Sequence, residues 1–401
     1  MNIAATEAAR GRHWDKKERV VLVGVSTKDQ DPVATRQHLA ELARLADSAG
    51  AEIAGEVVQN RQTLDPATVL GAGKVKALAE LCDAEDIDKV VFDDDLSPSQ
   101  AKRVEELTGR MVLDRSGLIL DIFARQARTR ESKLQVEIAQ LEYLIPRLTK
   151  MWTHLERQGG GIGTLGPGET QLETDRRIAR TRLAKLKREL ESMEVARGER
   201  GKQRKREAFS VALAGYTNAG KSTLLNALTG AKVLAQDRLF STLDATTRKV
   251  WLGHESPDAT LSDTVGFIRK LPHHLVASFR STLAVVAEAD LVLHLVDASD
   301  MFREEEMRVA HDLLEELCGR DLPRLVVFNK IDALDDADRQ KLAHDLPQAI
   351  QVSAAQKLGF DLLRENMRSR ALAWREERRS KADKELDKAL EELELLEASG
   401  G

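Results

Sequence analysis

Aromatic residues are scarce in this chain, 4% of 401 residues. None interleaves the main basic run described below, so stacking of successive unpaired bases is not indicated there. Cysteine is scarcer still. Cys82 and Cys318 lie far apart, suit a reducing cytosol and read as small buried apolar residues. No run approaches the ~18 apolar residues of a membrane span. Met1 to Lys17 lacks the apolar core of a signal peptide. The expectation is a soluble, cytoplasmic protein with no membrane span. A dominant charge is also missing: 61 basic residues face 66 acidic ones, a net charge of -5. Distribution therefore matters more than balance. What is present is 42% hydrophobic residues over a length that fits two or three folded domains.

The chain is organised around residues 209–223. Val211 to Ala214 reads as a buried strand, Gly215 to Ser222 spells G-x-x-x-x-G-K-S, and Leu224, Leu225 and Leu228 begin a helix. Strand, glycine loop and helix are the context of a P-loop, although a tight strand-helix turn can match the pattern by chance. In a P-loop the backbone N–H groups and the helix N-terminus face a phosphate chain. Lys221 then reaches the β- and γ-phosphates, and the Ser222 hydroxyl holds Mg2+.

Further motifs follow in order within 207–370, where strands and helices alternate. Leu261-Ser-Asp-Thr-Val-Gly266 gives D-x-x-G at a strand end. Asp263 can bind the Mg2+ shell through water, and the Gly266 N–H can meet a γ-phosphate. Phe240-Ser-Thr-Leu-Asp-Ala-Thr-Thr-Arg248 is rich in hydroxyls and reads as a switch ordered by triphosphate. Asn329-Lys-Ile-Asp332 ends another apolar strand. The Asp332 carboxylate can accept from guanine N1–H and N2–H2, donors that adenine lacks. Such a site can discriminate by ~10⁴ or more. The Lys330 stem can cover the base, and Asn329 can link this loop to the P-loop. Val352-Ser-Ala-Ala355 can supply an N–H to guanine O6. The expected guanine-nucleotide site is thus Gly215, Tyr216, Thr217, Asn218, Ala219, Gly220, Lys221 and Ser222; Phe240, Ser241, Thr242, Leu243 and Asp244; Asp263, Thr264, Val265 and Gly266; Asn329, Lys330, Ile331 and Asp332; and Ser353, Ala354 and Ala355.

Upstream, 19–115 alternates strands (Arg19–Val25, Ala51–Gln59, Lys89–Phe92, Met111–Leu113) with helices, including Thr68–Cys82, and predicts a small parallel α/β domain. Gly71-Ala-Gly-Lys74 lacks full P-loop spacing and reads as a helix start. Asp93-Asp-Asp95 reads as a solvated loop. From 116 to 206 the spacing of Leu134, Ile138, Leu141, Ile145 and Leu148, and of Ala179, Leu183, Leu186, Leu190 and Met193, predicts an antiparallel helical hairpin. Pro146 bends or ends its first helix. Six of the ten residues in 159–168 are glycine. That tip is either a floppy connector or a backbone surface for a phosphate-rich partner. Between Arg176 and Arg206 stand 13 basic and 4 acidic residues, which favour a polyanion such as structured RNA. Gly160, Gly161, Gly163, Arg176 and Arg177 are the candidate RNA contacts. Residues 197–206 read as a basic, glycine-containing linker. Residues 1–18 read as a flexible N-terminus and 371–401 as an acidic helical tail.

Gly160 to Arg177, Gly215 to Ser222, Phe240 to Asp244 and Asp263 to Gly266 together resemble the HflX family of translation-factor-related GTPases, over roughly 18–370. The resemblance implies an α/β fold: a P-loop GTPase domain preceded by a small α/β N-terminal domain and a helical hairpin linker. It implies Ser222 and Thr242 as Mg2+ ligands, and guanine on Asn329–Asp332 and Ser353–Ala355. It also implies, as partners, the large ribosomal subunit and its rRNA, with GTP-dependent splitting of stalled or idle ribosomes under stress. Some family members are credited with ATP-dependent RNA remodelling by the N-terminal domain, but this chain has no second ATP motif. Asn218 resembles a residue that helps hold K+ in related GTPases. A monomer is expected. Phe267 stands where Ras-like enzymes carry the glutamine that orients the attacking water, so no catalytic residue is assigned. Hydrolysis is expected to be slow alone and stimulated by a partner, unless His273 or His274 acts in cis. Two alternatives stay open: a regulatory GTP switch for a protein partner, and a nucleotide-dependent RNA remodeller.

Overall fold

The computed structural model describes residues 17–28, 32–148, 167–204, 208–231, 239–240, 242–270 and 280–399. They form two compact units. The first holds the described residues up to Met193 together with Leu239 and Phe240, and the second holds the rest.

In the first unit, β1 (Arg19–Ser26), α1 (Pro32–Ser48), β2 (Glu52–Asn60), α2 (Ala72–Ala84), β3 (Lys89–Phe92), α3 (Pro98–Thr108) and β4 (Met111–Asp114) follow in order. The sheet runs β2-β1-β3-β4, all parallel. β1 is an inner strand, and its unbroken apolar run is buried on both faces. Val21, Val23, Leu78, Phe92 and Val104 share one core. α2 begins at Ala72, later than the sequence pattern suggests. The Asp65 carboxylate accepts from the N–H groups of Ala67 (2.9 Å) and Thr68 (3.2 Å), which closes a turn ahead of the helix.

The expected solvated loop after β3 is not solvated at its first residue. Asp93 is buried, accepts from Arg115 at 2.7 Å and lies 3.7 Å from His38. The same guanidinium reaches Glu41 at 2.6 Å. Arg115 follows β4, 22 residues on from Asp93, and pairing it with Asp93 and Glu41 required knowledge of the sheet order.

α4 (Arg115–Gln126) buries Leu118, Ile119, Leu120, Ile122 and Phe123, so the chain continues this unit past 115 without a break. α5 (Arg130–Leu144) ends in a short 3-10 turn at Ile145–Arg147, where Pro146 lacks the N–H a longer helix needs. Asp114 accepts from Tyr143 (2.8 Å) and Arg147 (2.7 Å), fastening this helix end to the sheet. α6 (Pro167–Arg204) lies against α5. Leu134, Ile138 and Leu186 form a shared seam, with Leu141, Leu183, Leu190 and Met193 around it. Arg130–Glu189 and Arg182–Glu137 contacts flank that seam. The expected linker at 197–206 is helical through Arg204. Its two glycines cost about 1 kcal/mol each, offset by the strong helix formers around them. Leu239 donates its N–H to Ser48 Oγ at 3.0 Å, and the Phe240 ring meets Phe123 edge-on at 4.7 Å.

The second unit contains β5 (Phe209–Gly215), α7 (Lys221–Thr229), β6 (Thr246–Val250), β7 (Ala259–Asp263), α8 (Arg280–Ala287), β8 (Leu291–Asp297), α9 (Arg303–Cys318), β9 (Arg324–Asn329), α10 (Asp336–Asp345), β10 (Ile350–Gln351) and α11 (Phe360–Ser399). Its sheet runs β10-β9-β8-β5-β7-β6, parallel except for β6 at the edge. The expected tail at 371–401 has no boundary at its start. α11 crosses it unbroken, and Leu363, Met367 and Ala371 are fully buried in the core of this unit. Among the described residues no helix is long and apolar enough to cross a membrane.

Candidate nucleotide site

β5 lies between β7 and β8, so Gly215 leaves the sheet at the carboxyl end of an inner strand, where open sheets bind ligands. The loop from Gly215 turns into α7, whose first N–H groups have no side-chain cap. They are free to bind an anion, and the helix dipole favours one there. Gly220 has φ +90°, and a Cβ on it would lie 2.2 Å from Asn329 Nδ2. Only glycine fits.

Lys221 is buried and donates to the carbonyls of Tyr216 (2.7 Å) and Gly215 (3.0 Å). Burial pushes its ammonium down to about 8, and Asp263 opposes that shift. An added polyphosphate would favour the charged form further. A Cβ on Gly266 would lie 3.0 Å from Lys221 Nζ and 2.7 Å from Thr217 Cγ2. The D-x-x-G loop and the P-loop thus sit against one another.

Ser222, Thr242 and Asp263 form one cluster. Asp263 Oδ2 accepts from Ser222 Oγ at 2.5 Å and from Thr242 Oγ1 at 3.0 Å, and the two hydroxyls are 2.9 Å apart. Burial raises the Asp263 carboxyl, while Lys221 and the two hydroxyl bonds lower it. Asp263 Oδ1 is buried without a partner, and so is Thr217 Oγ1. Orphaned buried oxygens are costly unless a ligand satisfies them. Two hydroxyls and a carboxylate are the hard oxygen donors that Mg2+ takes. These residues fit that ion: Ser222 and Thr242 would offer hydroxyl oxygens and Asp263 a carboxylate.

Asn329 makes the link expected of it. Its Nδ2 donates to Ala219 O at 2.8 Å, and its Oδ1 accepts from the Ala354 N–H at 2.9 Å. One side chain therefore joins the P-loop, the end of β9 and the loop after β10. Lys330 is left-handed (φ +63°), and Asp332 is exposed in the 3-10 turn Ile331–Ala333, available to a base. Ser353 and Ala354 are buried, whereas Ala355 is exposed. The sequence reading missed Asp297, which ends β8 and pairs with Lys330 Nζ at 2.7 Å. Its signal was a lone carboxylate closing the apolar run Leu291–Val296.

Several expected residues have other work. The Phe240 ring is engaged by Phe123, Leu243 and Val265 are buried, and Thr264 Oγ1 donates to Leu213 O at 2.7 Å. Ser241, Gly160, Gly161, Gly163, His273 and His274 lie outside the described residues. Arg176 is half-buried and Arg177 exposed on α6. Phe267 is 1% exposed, and its N–H and C=O bond Gly215 O (3.0 Å) and Thr217 N (2.7 Å). Its ring offers nothing that could orient water.

Residues 36–124 match the family described as GTP-binding GTPase N-terminal, 126–204 the GTP-binding GTPase middle region, and 210–330 the 50S ribosome-binding GTPase. The chain is 48% identical over 320 residues to GTPase HflX of Alkalihalophilus pseudofirmus, covering 80% of this chain and 75% of that protein. The chain belongs to the HflX family of GTPases. GTPase HflX of Escherichia coli is 47% identical over 326 residues, with the same shares of 80% and 75%. A GTP-binding protein from Sulfolobus solfataricus, solved with GDP, is 23% identical with a TM-score of 0.46, covering 89% of this chain and 99% of that one. This HflX-family chain is a GTPase.

Proposed function

We propose that this HflX-family GTPase binds the large ribosomal subunit in its GTP form and uses the switch to split or rescue stalled or idle ribosomes under stress. The observation that carries the reading is the match of residues 210–330 to the family described as a 50S ribosome-binding GTPase. The basic composition of 176–206, with Arg176 and Arg177, and the glycine-rich 159–168 supply chemistry suited to an rRNA backbone. Guanine is read by Asp332 with Asn329, Lys330, Ile331, Ser353, Ala354 and Ala355. Ser222 and Thr242 hold Mg2+. The protein acts in the cytoplasm as a monomer.

Hydrolysis is slow alone because Phe267 fills the position where a water-orienting side chain would stand, and the ribosome supplies the missing group. Asn218, left-handed at φ +63° inside the P-loop, assists K+ at the same phosphates. The decisive experiment is co-sedimentation with ribosomal subunits in GTP analogue, GDP and no nucleotide. Binding strongest in the analogue supports the switch, and binding indifferent to nucleotide refutes it. Equal hydrolysis in KCl and NaCl at matched ionic strength would remove K+ from the account.

A further inference from the structure

Among the described residues of the second unit, one large aromatic side chain stands in water, away from the candidate nucleotide loops. Trp251 is 64% exposed immediately after β6. It begins the connection from β6 to β7, so it lies at the end of the hairpin opposite Thr246, the end that continues from Thr242. Arg248, Lys249 and His254 are exposed beside it in sequence. Charged residues on an edge strand commonly serve only to keep that edge from pairing. An exposed tryptophan does the reverse, because it offers a broad apolar face to any passing surface.

The tip is also held rigid. Gly253 (φ +117°) and Glu255 (φ +67°) are both left-handed, which folds the connection tightly. From α11, Arg368 donates to His254 O at 3.4 Å and Arg375 to Glu255 O at 2.7 Å. These two arginines arrive from more than a hundred residues away and add to the local positive charge. Lys249 pairs with Asp258 at 3.3 Å and Arg368 with Glu365 at 3.8 Å, while Arg248 and His254 are exposed, Arg375 is half-exposed and Glu255 is an exposed acid between His254 and Asp258 in sequence. The Trp251 ring meets the His254 ring edge-on at 5.7 Å, which orients it.

We infer that the Trp251 tip is a stacking platform for an unpaired RNA base, with Arg248 and Arg375 neutralising the adjoining phosphates. This deepens the ribosomal reading and rests on it: the base belongs to a looped segment of rRNA. Aromatic faces stack any base, and removing one such contact weakens binding roughly 5- to 150-fold. The contact needs no nucleotide chemistry, so it adds affinity without touching the GTP site.

The test uses the full chain bound to a GTP analogue and purified large subunits. Trp251→Ala is expected to weaken subunit binding roughly 5- to 150-fold, with Trp251→Phe retaining most of it and GTP affinity unchanged in both. Wild-type binding by Trp251→Ala overturns the proposal. A photoreactive phenylalanine analogue at position 251 decides the partner. An rRNA adduct supports the platform, and a ribosomal-protein adduct overturns it. Should the wild-type chain fail to bind subunits in any nucleotide state, the ribosomal reading fails by itself. An unstructured twelve-nucleotide RNA then judges the platform: fluorescence quenching lost in Trp251→Phe supports it, and equal quenching in both proteins overturns it.

Discussion

Gly220 shows how narrowly one position in the site is specified. Its φ of +90°, and an Asn329 Nδ2 that would lie 2.2 Å from an added Cβ, leave no room for a methyl group. Gly220→Ala should therefore displace Asn329, break its bond to Ala219 and abolish nucleotide binding in a calorimetric titration, and the melting temperature should fall by at least several degrees. The expected loss is at least about 100-fold, since a strained, buried clash costs several kcal/mol. His294 illustrates a residue that matters to stability rather than to chemistry. It sits buried on β8, and desolvation pushes its imidazole down to about 4. The folded value is below the ordinary one, so the unfolded chain takes up the proton first. Stability from this residue is present above pH 6.5 and declines as pH falls toward 4, by up to about 3 kcal/mol. His294→Leu should flatten that part of the stability profile, measured by urea unfolding at pH 7, 6, 5 and 4. The P-loop and N-K-x-D letters were legible because backbone strain and base pairing each demand particular residue types. Asp297 was not, since an acid at a strand end has many uses until Lys330 is seen beside it.

At the scale of elements, α11 is the clearest departure from the sequence pattern. Trp374 Nε1 donates to Asp290 Oδ1 at 3.0 Å, and its ring meets Phe209 edge-on at 5.9 Å. The other oxygen of Asp290 accepts from the N–H (2.8 Å) and Oγ (2.6 Å) of Ser210. One carboxylate thus ties α11 to the first residues of β5. Trp374→Ala removes a half-buried indole and leaves Asp290 short of a donor. We expect a loss of about 3 kcal/mol by chemical denaturation, with GTP affinity retained at temperatures where the fold persists. A chain ending at residue 370 should be destabilised more, because Ala371 and Trp374 both leave the core. Helical periodicity announced α11, but the acidic composition beyond Lys381 drew attention away from the buried stretch before it. The helical seam of α5 and α6 was the opposite case. Its apolar spacing named Leu134, Ile138, Leu141, Leu183, Leu186, Leu190 and Met193 in advance, while Ile145, Leu148 and Ala179 do not join that seam.

At the scale of the whole molecule, the open question is how GTP turnover is driven. Purified chain should hydrolyse GTP slowly, and large ribosomal subunits should raise the rate at least tenfold in a phosphate-release assay. Equal rates with and without subunits would mean the missing group is supplied within the chain. The sequence by itself determined that there are two α/β sheets, a helical hairpin and a GTP site. Strand periodicity, glycine positions and hydrogen-bonding side chains are local properties, and each is written in consecutive residues. Only the tertiary structure decided which distant groups meet. It buried Asp93 against Arg115, set Asn329 between two loops, closed α11 onto β5 and placed Arg375 beside the Trp251 tip. Those pairings depend on strand order and on crossovers spanning 22 to 120 residues, which no local pattern encodes.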